Sequence, residues 1–155
     1  MIALRDFRPG DEPALRAVFA SAIHEVAIRD YSPQQVDAWC PRDHDADAWA
    51  ARMQGLCPFV AERDGKIVGY ADLQSGGYID HFYVAGTAGG QGVGGTLMRH
   101  LLALAAERSL TELTSHVSLT AQPFFAHFGF QIVEQRVVDV RGVPLCNAVM
   151  RLALR

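Results

Sequence analysis

The segment Gly89-Gly90-Gln91-Gly92-Val93-Gly94-Gly95-Thr96 constrains this chain more than any other, because it joins a strand-like run to a long amphipathic helix. Glycines let a backbone pass close to an anion and adopt φ angles that other residues resist. The first amides of the following helix have no partner within it, and the helix dipole is positive at that end. Such a backbone is a site for a phosphate group, and main-chain N–H groups supply the donors without a basic side chain in the loop. The competing reading is a glycine loop with no ligand, and the position between strand and helix argues against it.

Two familiar phosphate-binding patterns fit poorly. Gly90 to Gly95 satisfies G-x-G-x-x-G, the dinucleotide fingerprint, but Ala85 to Gly89 intervene after the strand ending at Val84. Ser115-His116-Val117-Ser118 stands where an acidic residue should close the next strand. No Gly-Lys-Ser/Thr occurs, so there is no P-loop. A dinucleotide-binding enzyme is therefore the third choice.

The rest of the chain reads as alternating strands and helices. Ile2 to Phe7 is a strand, and Asp11, as N-cap, with Pro13 opens a helix that buries Leu15, Val18, Phe19, Ala22, Ile23 and Val26. Ser32-Pro33-Gln34-Gln35 is a capping box for a helix carrying Val36 and Trp39, which stops before Pro41. A short helix from Asp47 to Gln54 holds Trp49 and Met53. Phe59 to Glu62 and Ile67 to Leu73 form a hairpin about Asp64-Gly65. Tyr78 to Val84 reads as one strand, and Val93, Leu97, Met98 and Leu101 mark a helix reaching about Arg108. Leu113 to Ser118 is a strand, Pro123 to His127 a short helix, and Gln131 to Val140 with Pro144 to Leu152 a final hairpin. The order gives an α/β (α+β) fold with a mixed central sheet flanked by helices.

At 155 residues, 50% hydrophobic and 20% charged, the chain suits one globular domain. Its net charge of -3 and lack of basic runs argue against nucleic acid as partner. No apolar run has the length of a signal-peptide core or a membrane span, so a cytoplasmic protein with no membrane partner is expected. Cys40, Cys57 and Cys146 are odd in number and lack CxxC pairing, so neither a disulfide framework nor a metal site is indicated; they read as small buried apolar residues.

Tyr78-Ile79-Asp80-His81-Phe82-Tyr83-Val84 followed by Gly90-Gln91-Gly92-Val93-Gly94-Gly95-Thr96 resembles the acetyl-CoA-binding region of GNAT N-acetyltransferases, whose loop pattern is Gln/Arg-x-x-Gly-x-Gly/Ala. Ala121-Gln122-Pro123-Phe124-Phe125-Ala126-His127-Phe128-Gly129-Phe130 resembles that family's Ala-x-x-Phe-Tyr-x-x-x-Gly-Phe. The resemblance covers essentially the whole chain and implies one N-acetyltransferase domain over residues 1–155 with the GNAT acyl-CoA N-acyltransferase fold. It implies acetyl-CoA as co-substrate and an amine as acceptor. Phe82, Tyr83 and Val84 would lie along the pantetheine arm, with Phe125 beside it. The loop and helix start, Gly89, Gly90, Gln91, Gly92, Val93, Gly94, Gly95 and Thr96, would hold the pyrophosphate. The strand from Leu113 to Ser118 would splay from its neighbour to admit the arm.

Three positions depart from the family. Gly89 replaces Gln or Arg, Thr120 stands where many members have asparagine, and Phe125 replaces a tyrosine that protonates the leaving thiolate. A non-catalytic acyl-CoA sensor is therefore the alternative function.

Amine attack on a thioester needs a base, an oxyanion donor and an acid. The backbone N–H of Phe82 or Val84 is the expected oxyanion donor. Period 2 places Tyr78, Asp80, Phe82 and Val84 on one face of the strand and Ile79, His81 and Tyr83 on the other. Asp80 is the first choice of base by resemblance, and His81 the second for its ordinary pKa. His116 is a further candidate or a core histidine. Tyr78, then Tyr83, are alternative acids, while Ser118 and Thr120 are read as donors to sulfur or as caps of the next helix. The family's acceptor pocket points to His24, Tyr31, Trp39 and Trp49. The last hairpin offers an edge that can pair with a second copy, which is how a homodimer would form.

Overall fold

Strand β1 (Ile2–Asp6) runs antiparallel to β2 (Phe59–Arg63), which turns back on β3 (Lys66–Ala71). The computed structural model describes residues 1–154. The β2–β3 turn takes positive φ at Asp64 (53°) and Gly65 (77°), the geometry that an Asp-Gly pair supplies in a type I′ hairpin.

Helix α1 (Glu12–Ser21) buries Leu15, Val18 and Phe19, then widens through Ala22–Val26, where the Ala27 N–H reaches back to the Ala22 carbonyl. Ile23 is buried there, but Ala22 and Val26 are only half-buried. Asp11 holds the N-cap position without capping a helical amide. Its carboxylate accepts from the Arg5 guanidinium at 2.8 and 2.9 Å and from the Arg8 N–H instead. Helix α2 (Pro33–Trp39) has the expected capping box between Ser32 and Gln35. Helix α3 (Ala46–Leu56) exceeds its sequence reading because Asp45 caps two of its amides.

The single strand read from Tyr78 to Val84 is two. β4 (Tyr78–Ile79) runs parallel to β6 (Glu112–Ser118), while β5 (Phe82–Val84) runs antiparallel to β3. Asp80 and His81 belong to neither. Two four-stranded sheets result, in the orders β1-β2-β3-β5 and β4-β6-β8-β7, with β7 (Gln131–Val140) and β8 (Val143–Ala153) forming the last hairpin.

Helices α4 (Val93–Glu107) and α5 (Gln122–His127) cover one side with Leu97, Met98, Leu101 and Phe125 against Ile79, Leu113 and Met150. α1 to α3 cover the other with Leu15, Ile23 and Met53 against Val60, Tyr70 and Leu145. Each fully buried aliphatic side chain contributes about 1.5–3 kcal/mol. Of the cysteines, only Cys40 is buried; Cys57, which ends α3 in a left-handed conformation, and Cys146 are exposed.

Candidate active site

Because β4 pairs with β6 and β5 with β3, the two sheets part at Asp80-His81, and no ladder joins β5 to β6. The Ala85 N–H donates to the Val68 carbonyl of β3, and the His81 carbonyl accepts the N–H of Asp72, the residue after β3. Main-chain groups alternate in direction along a strand, so those of Phe82 and Val84 point into the gap.

A cleft of about 390 Å³ fills that gap, and every residue assigned to the cofactor lines it except Gln91 and Thr96. Gln91 is exposed and bonds to the Thr87 carbonyl. Thr96 closes the first helical turn, its N–H donating to the Gly92 carbonyl at 3.0 Å and its hydroxyl to the same oxygen at 2.8 Å. The amides that no helical carbonyl can reach are those of Val93, Gly94 and Gly95. Gly92 starts the helix at a φ of +84°, and a Cβ on Gly94 would stand 3.1 Å from the Phe124 ring.

The far wall contains Ser118, Thr120 and Ala121. Ser118 Oγ accepts the Ala121 N–H at 3.2 Å, so Ser118 is the cap. Thr120 Oγ1 is buried against this cleft with no hydrogen-bond partner. An unmet hydroxyl, free amides and apolar walls fit a long ligand that carries amides and phosphates.

The break in the strand is held by Asp72, which sequence reasoning missed. Its fully buried carboxylate accepts the N–H groups of His81 and Asp80 and the Gln74 amide. Burial pushes its carboxyl up, against the pull of those donors. The one signal available was an acid directly after the apolar run Val68–Ala71.

His81 is buried, with Nε2 accepting from Arg52 Nε at 3.2 Å, so the ring proton sits on Nδ1 and is donated to the Tyr70 hydroxyl oxygen at 2.9 Å. Burial first, then Arg52, pulls its pKa down to about 3. The sequence reading of His81 as a base is therefore corrected, because a ring so hard to protonate has little proton affinity to offer. The two-face assignment also fails at the break: Ile79 packs in the same core as Phe82 and Val84, while His81 packs beside Tyr83. Asp80 stays partly open at the mouth of the gap, its Oδ2 3.5 Å from Arg52 Nη2.

Tyr78 and His116 lie side by side on the open face of the second sheet, ring centroids 5.4 Å apart. His116 is exposed rather than a core residue, and its Nδ1 takes an N–H from Arg136 at 3.2 Å. Partial burial and then Arg136 lower its pKa. Burial raises the Tyr78 phenol, and raises that of Tyr83 well above the ordinary value.

A family profile described as "Acetyltransferase (GNAT) domain" matches residues 27–152. The chain belongs to the GNAT acetyltransferase family. It is 35% identical over 150 residues to an uncharacterized N-acetyltransferase, YafP, of Escherichia coli K12, covering 97% of this chain and 95% of that one. A crystal structure of a GCN5-related N-acetyltransferase from Rhodopseudomonas palustris superposes with a TM-score of 0.93 at 34% identity, over 98% of this chain and 95% of that one. The structure of yncA from Salmonella typhimurium, solved with its cofactor acetyl-CoA, shares the fold at 22% identity and a TM-score of 0.70, over 100% and 95% of the two chains. The protein is an N-acetyltransferase.

In this GNAT chain two residues assigned to the acceptor pocket serve as ties. The hydroxyl of the buried Tyr31 donates to the Cys146 carbonyl and accepts the Leu119 N–H at 2.9 Å. It pins the end of β6 to β8. His24 Nε2 bonds to the Cys40 carbonyl at 2.8 Å, fastening α1 to α2. Trp49 is buried with its N–H on the Glu12 carbonyl. Trp39 alone of the four lines the cleft.

Proposed function

We propose that this N-acetyltransferase binds acetyl-CoA in the cleft between β5, α4 and α5 and passes the acetyl group directly to an amine. The observation that carries the reading is the set of unsatisfied donors along one cleft: the Val93, Gly94 and Gly95 amides at one end, the Phe82 and Val84 main chain between, and Thr120 Oγ1 opposite. The amides would take the pyrophosphate and β5 the pantetheine arm.

The amine nitrogen attacks the thioester carbonyl carbon, the C–N bond forms, the C–S bond breaks, and the amine's proton balances the thiol released. The N–H of Phe82 or Val84 faces the oxygen on which charge develops. Asp80, at the mouth of the gap, takes the ammonium proton directly or through water. Phe125 has no hydroxyl to give, so Tyr78 or Thr120 Oγ1 serves the departing sulfur.

Thiol release from acetyl-CoA over a panel of amines tests the reading, together with calorimetric CoA binding. Thr120→Val should weaken CoA binding about two- to tenfold, as expected for one lost hydrogen bond. A crystal with the pyrophosphate lodged away from Val93 to Gly95 would overturn it.

We read the chain as one such domain working in the cytoplasm, a reading supported by its unpaired cysteines. No helix among the described residues is long and apolar enough to cross a membrane. The β7 edge, with Ile132, Val133 and Val137 exposed, favours a homodimer, which light scattering of Val137→Lys against the parent would test.

A further inference from the structure

The open face of the second sheet carries an arginine without a counter-ion. Arg136 on β7 is half-buried, and among the described residues no carboxylate lies within ion-pair distance of it. Its position is nevertheless fixed. Nε donates to Asn147 Oδ1 at 3.1 Å and Nη2 to His116 Nδ1 at 3.2 Å. Both acceptors are neutral, so they orient the guanidinium and leave its charge intact. They use two of its five N–H donors, and the other three remain for a ligand. An imidazole that accepts at Nδ1 carries its proton on Nε2, which adds a donor on the same face.

The surrounding charges do not neutralise it. Of the nearby carboxylates, Asp80 is already held by Arg52, and Glu134, two residues back on β7 in one row with Val149 and His116, makes no ion pair with Arg136. Glu112, further along β6, is taken by Arg151. Asp80 is thus spoken for by Arg52, and the Arg136 guanidinium keeps its outer edge unpaired. The registers also connect Arg136 to the cleft. Arg136 pairs with Asn147 and Asn147 with Ser118, which lines it. The guanidinium reaches back as far as His116, two residues from Ser118, or about 7 Å along the strand.

We infer that Arg136, held by Asn147 and His116, binds an acid group of the acceptor, so the amine substrate is a small amino acid or a similar carboxylate-bearing amine. This rests on the acetyltransferase reading of the same gap, since the acceptor must approach from the side opposite the cleft. A planar guanidinium with its outer edge free suits a carboxylate bidentately. A span of about 7 Å suits an amine and an acid separated by a few bonds. Arg136 is a substrate-positioning residue in this scheme and takes no part in the bond changes.

Two measurements test it. In the first, L-amino acids and their carboxamides are compared as acceptors by thiol release at saturating acetyl-CoA. The acid should be favoured about 10- to 100-fold in kcat/KM, the range for a hydrogen bond to a charged group. Arg136→Gln should erase that preference through KM, with CoA affinity unchanged. In the second, propionate and propionamide are titrated into the protein while the His116 ring resonances are followed by NMR. Propionate should shift them saturably and raise the His116 pKa, because an anion on Arg136 relieves its repulsion. Propionamide should not, and neither ligand should act in Arg136→Gln or Arg136→Lys. Propionate leaving His116 unmoved, or moving it equally in Arg136→Gln, overturns the inference whatever the activity. Propionate bound at Arg136 with no amine ever acetylated upholds the anion site and overturns the acetyltransferase reading instead.

Discussion

The two sides of the gap are built from different materials. On the α4 side the partners on offer are main-chain amides at Val93 to Gly95, the strand edge of Phe82 and Val84, and an apolar lining with the buried, unpartnered hydroxyl of Thr120. On the sheet side they are side chains: Asp80 with Arg52, and Tyr78, His116 and Arg136 in a row. A backbone site demands that few residues be glycine and leaves the others free, so it suits a ligand that never changes. A side-chain site is rewritten by single substitutions and suits a ligand that differs from one relative to the next. The histidines repeat the contrast. His81 is sealed into the α1–α3 side and locked by Arg52 and Tyr70, whereas His116 stands open on the sheet.

The sharpest way to break this division is at Asp80. Asp80→Asn should lower turnover by about 10²- to 10⁴-fold, the range for lost general-base catalysis, with CoA affinity unchanged by calorimetry. Turnover at the parent rate would move the base to another group.

His81 should show itself in stability rather than rate. Its pKa falls from 6.5 to about 3 on folding, so the unfolded chain holds the extra proton between those values. Stability is then whole above about pH 6.5 and lost as pH falls toward 3, by up to about 1.4 kcal/mol per pH unit. Urea unfolding of His81→Gln across that range should show a flatter slope, and an unchanged slope would contradict a neutral buried ring.

On the α4 side, Gly92→Val forces a β-branched residue into a φ of +84°. The strain alone, about 1–2 kcal/mol, should weaken CoA binding about 5- to 30-fold. Binding that survives intact would show that the helix start is not the anchor. The smallest effect runs the other way. Gly89 has an ordinary φ of -62° and ψ of 142°. A Cβ there meets only the Gly86 carbonyl, at 3.4 Å. Gly89→Arg should therefore fold normally and tighten CoA binding about two- to fivefold, an effect that fades with added salt.

Local chemistry by itself determined a good deal. The Asp64-Gly65 hairpin, the Ser32 capping box, the α4 stripe and the glycine start of that helix all follow from interactions within a few residues, and each is found where the pattern places it. The phosphate-type cleft is legible for the same reason, since its donors are consecutive amides. What only the tertiary structure decided depends on groups far apart in the chain. Tyr78 to Val84 looks continuous because both halves are apolar, and it is broken by Asp72, whose carboxylate takes the Asp80 and His81 amides from just beyond the end of β3. Tyr31 and His24 look available until Leu119, Cys146 and Cys40 close on them. Arg136 carries no motif at all and gains meaning only when strand pairing brings Asn147 and His116 beside it. Burial and hydrogen bonding set the chemistry of those side chains, and both are properties of the packed chain.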